Sequence, residues 1–291
     1  MKMRQVIWVT LISALILVGS NHIVFAEEGI EVENLPSIFD DGTHIPDHIE
    51  LKTWEETKSI IPKGSEFEVI DIETGLFFKV QRRAGSKHAD VQPLTKTDTA
   101  IMKAIYNGKW SWKRRAIYIM KDGHVIAASM HGMPHGAGAL VNNFPGHFCI
   151  HLPGSTTHTS RKEDPTHQLM ILKAAGKLDH YIEKANSEQL ADVFMNAVNQ
   201  EDHSIVRKTI EKRLSDEKLK QVFFIHPAKP ISEDAPTNIL MTQYPVKVMY
   251  KTDQGLMKKK LNLTVQRYSL TGRWYVNIDK LLKSLPGEDE A

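Results

Sequence analysis

The chain has 291 residues, 41% of them hydrophobic and 25% charged. That is the mix of a protein able to bury a sizeable core, and it excludes a disordered, collagen-like or disulfide-stapled chain. Lys and Arg number 37 against 35 Asp and Glu, a formal charge of +2. Without a basic excess the chain is a poor nucleic-acid binder, because phosphate neutralisation requires one.

Residues 1–26 read as a signal peptide. Lys2 and Arg4 form a charged start, residues 6–19 an apolar stretch short for a membrane helix, and Val24-Phe25-Ala26 a peptidase site. The expectation is a secreted, extracytoplasmic protein with no transmembrane helix after cleavage. Residues 27–64 form an acidic, Pro- and His-containing lead-in with room for a short helix.

From residue 66 the pattern sharpens. Residues 67–72 alternate, Glu73-Thr74-Gly75 is a turn and residues 76–80 start a second strand, a hairpin signal. A helix is predicted over 97–106, starting at Thr97 or Asp98 and stopped by Asn107-Gly108. Residues 109–115 read as a strand with Trp110 and Trp112 turned to the core and a solvated basic face. Strands over 116–120 and 124–130 are joined at Asp122-Gly123, a tight-turn pair. Another strand covers 147–152. Asp164 and Pro165 then supply an N-cap and a first-turn proline for a helix to about residue 184.

Composition shifts after that. Leu190, Val193, Phe194, Ala197 and Val198 give residues 186–199 an amphipathic helical stripe. Residues 204–214 and 217–224 also read as helices and 227–236 as a loop. Alternating strands follow around 246–250, 261–265 and 274–278, with Lys258-Lys259-Lys260 on a solvated end or edge. Helices followed by an antiparallel sheet predict a separate α+β domain over 186–285. Its element order resembles the NTF2-like and cystatin-like domains.

Chemistry concentrates at the single cysteine, Cys149. A lone cysteine in an exported chain closes no internal disulfide, so it is either packed in a core or reactive. Seven of the fourteen histidines (124, 131, 135, 147, 151, 158 and 167) fall within residues 121–168. In a strand, His147, Cys149 and His151 share one face, and Phe148, Ile150 and Leu152 the other. An imidazole two residues from a thiol can accept its proton or stabilise the thiolate.

These residues resemble the L,D-transpeptidases with a YkuD-like catalytic domain. That family carries a His-Gly, a spacer, then Ser/Thr-His-Gly-Cys, an apolar residue and Asn or Arg. His131-Gly132 and Gly146-His147-Phe148-Cys149-Ile150-His151 correspond. Gly146 stands where the family has a hydroxyl residue, Phe148 where it has glycine, and His151 where it has Arg or Asn. The resemblance implies a β-rich YkuD-like catalytic domain over 65–184, mainly β with α, associated with the cell wall. It implies that Cys149 attacks an amide carbonyl of a peptidoglycan stem peptide, activated by an ion pair with an imidazole. His147 would be the base, His131 would act at the oxyanion side, and Gly132, Phe148 and His151 would line substrate or oxyanion.

No cofactor is required by that chemistry. His88-Ala89-Asp90 offers an orienting or metal-binding pair, alone an ordinary loop pair. With His131, His147 or His151 it leaves open a zinc-dependent wall peptidase. A non-catalytic wall-binding protein that kept the fold is the third reading. Residues 133–138, rich in glycine, read as a mobile segment over the site.

Overall fold

The computed structural model describes residues 24–25, 30–31, 35, 37, 48–157, 160–212, 214–215, 222–228, 239–252, 255–283 and 285. Residues 1–35 form one unit, in which β1 (Val24–Phe25) and β2 (Ile30–Glu31) pair antiparallel. Most of the predicted signal peptide lies outside the described residues. Residues 36–291 form the second unit.

The second unit begins with α1 (Trp54–Ile60), capped by a reciprocal Thr53/Glu56 box. A closed barrel follows. It is built from β3 (Glu66–Asp71), β4 (Phe77–Ala84), β5 (Ala89–Pro93), β6 (Arg114–Lys121), β7 (His124–His131) and β8 (Phe148–His151), in the order β3-β4-β5-β8-β7-β6. The β3–β4 hairpin and the tight β6–β7 turn are those predicted; Asp122 and Gly123 both take positive φ there, at 49° and 82°. A Thr95/Asp98 capping box starts α2 (Lys96–Ile105) ahead of the predicted start. Every neighbour pair in the barrel is antiparallel.

Strand β5 falls where the sequence reads as a loop. All five of its residues are buried, so the polar-out positions that give a half-buried strand its period of two are missing. Residues 109–113 are not a strand; β6 starts at Arg114, and Trp112 is 50% exposed rather than turned to the core.

Asp164 caps and Pro165 opens α3 (Pro165–Ala174), as predicted. The helix ends at Gly176, whose φ of 65° is left-handed, and α4 (Leu178–Lys184) continues separately. Then come α5 (Ser187–Gln200) and α6 (His203–Thr209). Residues 222–224, predicted helical, begin β9 (Val222–Pro227); residues 216–221 lie outside the described residues. β9 joins β10 (Met241–Thr252), β11 (Gly255–Gln266) and β12 (Tyr275–Val276) in an antiparallel sheet ordered β12-β11-β10-β9, and α7 (Ile278–Lys283) follows.

The architecture is therefore a β-rich mixture of helix and strand, with a closed barrel and a four-stranded sheet. One hydrophobic cluster joins them. Val125 and Ala127 of β7 meet Leu169 and Met170 of α3, and the cluster continues through Leu190, Phe194 and Val198 to Val246, Leu263 and Val276. Burying a side chain such as Phe194, 1% exposed, contributes about 1.5–3 kcal/mol. The predicted boundary near Asn186 thus falls inside a contiguous apolar cluster. Polar bonds cross it too: the Arg114 N–H donates to Gln200 Oε1 at 2.6 Å, and the Thr166 hydroxyl to Asn196 Oδ1 at 2.8 Å. No described helix is long and apolar enough to cross a membrane.

Candidate active site

Strand register assembles the site. β8 lies between β5 and β7, with Asp90 opposite Cys149 and Ser129 opposite His151. The same registers, carried one residue further, set His131 across from Cys149 and His88 across from His151. Two rungs result on one face: His131, Cys149, Asp90 and then Ser129, His151, His88. Val125 and Ala127 share this face and pack against the helices, so it is the barrel's outer face. Phe148 points the other way, fully buried, with ring centroids 6.3 Å from Phe78 and 5.8 Å from Phe144. Its ring lies on the face opposite Cys149, as strand alternation predicts, so only its backbone borders the Cys149 side.

Helix α3 covers the second rung. His167 lies parallel to His151 at 3.9 Å, and His151 to His88 at 4.8 Å. His167 Nδ1 sits 2.8 Å from Ser129 Oγ. His151 is thus the middle ring of a buried stack.

The segment 132–147 returns over the first rung. His135 and His147 exchange both backbone hydrogen bonds, each at 2.9 Å. Gly146 permits this closeness: its φ is 133°, and a Cβ there would lie 2.5 Å from the His135 carbonyl oxygen. Gln92 of β5, 1% exposed, grips the segment: its amide nitrogen, Nε2, donates to the Gly146 carbonyl at 2.7 Å, and Oε1 accepts the Ala139 N–H at 2.8 Å. Gly132 packs under Tyr106, whose ring leaves no room for a Cβ. The glycine-rich segment is therefore anchored, and it supplies a site residue.

That residue is His135. Its Nε2 lies 3.3 Å from Cys149 Sγ, and its Nδ1 lies 3.1 Å from the Met133 carbonyl. A carbonyl only accepts, so Nδ1 carries the proton and Nε2 offers its lone pair to the thiol. His147 stands one step back. Its Nδ1–H donates to the Ala137 carbonyl at 3.1 Å, and its Nε2 is 3.9 Å from Asp90 Oδ1. Trp112 closes the outer side, its ring centroid 4.7 Å from His131 and 5.5 Å from His135.

No family model, curated protein or solved structure matches the chain.

Electrostatics at the thiol differ from the expected thiolate–imidazolium pair. Burial, reinforced by the Asp90 carboxylate 3.7 Å away, pushes the Cys149 thiol far above its ordinary range. Burial, with His135 and Arg114 adding repulsion, holds His131 well below the usual imidazole range. Burial and His151 do the same to His167. The resting site thus has a protonated thiol and neutral His131 and His167. His88 spans Asp90 Oδ1 at 3.0 Å and the Thr156 carbonyl at 2.7 Å, tying the H-x-D pair into the site rather than a loop.

Cys149, Asp90, His88, His131, His147 and His151 are thus brought together as named from the sequence. His135, Gln92, Trp112 and His167 were missed as site residues. His135 did carry a signal: His135-Gly136 is a second His-Gly pair, four residues after the first. His158 lies outside the described residues, and His124 pairs elsewhere, with Glu50 at 2.6 Å.

Proposed function

We propose that the protein is an exported cell-wall enzyme acting on peptidoglycan stem peptides through a Cys149 thioester, in the manner of the L,D-transpeptidases its motif resembles. The observation that carries this reading is the contact of 3.3 Å between Cys149 Sγ and the unprotonated Nε2 of His135. Nucleophile, base and orienting carbonyl stand in line, the arrangement that activates a thiol.

In the first step His135 Nε2 takes the thiol proton as Sγ attacks the amide carbonyl on the L-centre of the stem's diamino acid. The C–N bond breaks, His135 returns the proton to the leaving nitrogen, and D-alanine departs. A second stem's amine, or water, then attacks the thioester and the thiol is restored. A thiol held protonated at rest suits this order, because deprotonation is coupled to attack. His131 keeps one ring nitrogen within 4.8 Å of Cys149 Sγ and His135. Its Nδ1 accepts the Met133 N–H at 3.3 Å, so the neutral ring has an Nε2–H to donate to developing negative charge.

The same reading makes the barrel a YkuD-like catalytic domain and the helices and sheet beyond residue 186 an accessory domain of NTF2-like or cystatin-like kind. Two half-buried rings, His135 and His147, and the exposed indole of Trp112 border the approach to the sulfur. The test is turnover of a tetrapeptide stem by the His135→Ala variant. Loss of a general base costs roughly 10²–10⁴-fold. Turnover within a few-fold of the parent would remove His135 from the chemistry.

A further inference from the structure

We propose that the Cys149 site also binds a divalent ion of the zinc class, through Cys149 Sγ, Asp90 Oδ1 and His147 Nε2, and that the bound ion caps the thiol. The inhibitory consequence rests on the proposed nucleophilic role of Cys149; the binding itself does not.

The donor atoms of Asp90, His147 and Cys149 all lie within 4.8 Å of one another. Sγ is 3.7 Å from Asp90 Oδ1, and that oxygen is 3.9 Å from His147 Nε2. Zinc bonds of about 2.0–2.3 Å in a tetrahedron give ligand–ligand edges of roughly 3.3–3.6 Å, so these two edges need to close by only a few tenths of an ångström, and the third, from Sγ to His147 Nε2, lies within 4.8 Å. His135 Nε2, 3.3 Å from the sulfur, flanks the same donors.

The outer partners of the donors are in place as well. His147 gives its Nδ1–H to the Ala137 carbonyl, which fixes the tautomer in which Nε2 carries the lone pair that a metal takes. Asp90 is itself held by His88 Nε2 at 3.0 Å, and His88 by the Thr156 carbonyl. These are the supports that ligating imidazoles and carboxylates ordinarily have.

Charge supplies the driving force. Binding replaces the thiol proton: the S–H bond breaks, the proton passes to buffer, and an S–metal bond forms. The thiolate and the Asp90 carboxylate then lie side by side in a buried site, an arrangement that a dication neutralises. A thiolate, an imidazole and a carboxylate together favour zinc over magnesium or calcium, which prefer all-oxygen shells. An ion so placed occupies the sulfur lone pair needed for attack. Chelator should therefore raise turnover, the opposite of what a zinc peptidase would show.

The experiment is a titration of the purified, chelator-stripped full chain with Co²⁺, read by its sulfur-to-cobalt charge-transfer absorption, followed by Zn²⁺ competition. The expected result is a band saturating at one equivalent, displaced by Zn²⁺, with alkylation of Cys149 slowed at least tenfold by either ion. Asp90→Asn and His147→Gln should each weaken Co²⁺ binding by at least roughly tenfold, and Cys149→Ser should abolish the band. No band, or a band unaffected by both ligand variants, would overturn the site. Acyl-adduct formation on Cys149 is measured separately with chelator present. An adduct without cobalt binding refutes the metal site alone, and cobalt binding without an adduct refutes the enzymatic reading alone.

Discussion

At the scale of single residues, the environment of Cys149 decides the chemistry. Burial raises the thiol's pKa most, and Asp90 adds to it through both its charge and its hydrogen bond. Asp90→Asn removes the charge, so the thiol's pKa should fall and alkylation at a fixed pH near 8 should accelerate. An unchanged alkylation–pH curve would show that the carboxylate does not act on the sulfur. Cys149→Ser should abolish turnover with little effect on the melt, because the side chains are close in size and the hydroxyl is far less acidic. His131 and His167 carry a second pH signature. Both are buried neutral in the fold, with folded pKa values below the unfolded value of about 6.5. Below that value the unfolded chain binds more protons, so stability is full above about pH 6.5 and falls as pH drops. The melting temperature should decline between pH 7 and pH 5, and the slope should flatten in His167→Gln. A flat profile in the parent would contradict the buried neutral rings. The sequence exposed the ingredients here but not their pairing. Cys149 amid histidines was legible from alternation alone, whereas choosing between His135 and His147 depended on a loop conformation set by Gly146 and Gln92.

At the scale of elements, the site depends on three strands in register and on one anchored return segment. β8 and β7 were legible because alternation and the Asp122-Gly123 turn marked them. β5 was not, because burial of all five residues leaves no alternation, and Asp90 and Gln92 look like loop residues until their partners are known. Yet β5 is the element that sets Asp90 against Cys149 and holds the return segment. Gln92→Ala removes the donor for the buried Gly146 carbonyl and the acceptor for the part-buried Ala139 N–H. A loss of roughly 1–3 kcal/mol follows from leaving such groups unpaired. Turnover should fall further than stability alone explains, since His135 loses its position. Denaturant melts together with turnover at saturating substrate check this; a variant as stable and active as the parent would free the segment from Gln92.

At the scale of the whole molecule, the helices and sheet that follow residue 186 lean on the barrel's helix-covered face. The amphipathic stripe of α5 was readable from spacing. What spacing does not reveal is which surface an apolar stripe covers, and here the cluster runs to Leu169 and Ala127 as well as to the late strands. Pieces cut near residue 186 should therefore each melt below the intact chain, because the cut exposes apolar surface on both sides. Halves that melt at the intact temperature would show that the shared cluster contributes nothing to either. The account as a whole stands on the sulfur and its base. Its most direct test is mass spectrometry of the full chain, kept in chelator and mixed with a tetrapeptide stem. The account predicts a covalent adduct on Cys149 equal to the stem less D-alanine, formed by the parent and His147→Ala and lost in His135→Ala. Absence of any adduct on Cys149, or an adduct that forms equally well without His135, would contradict it.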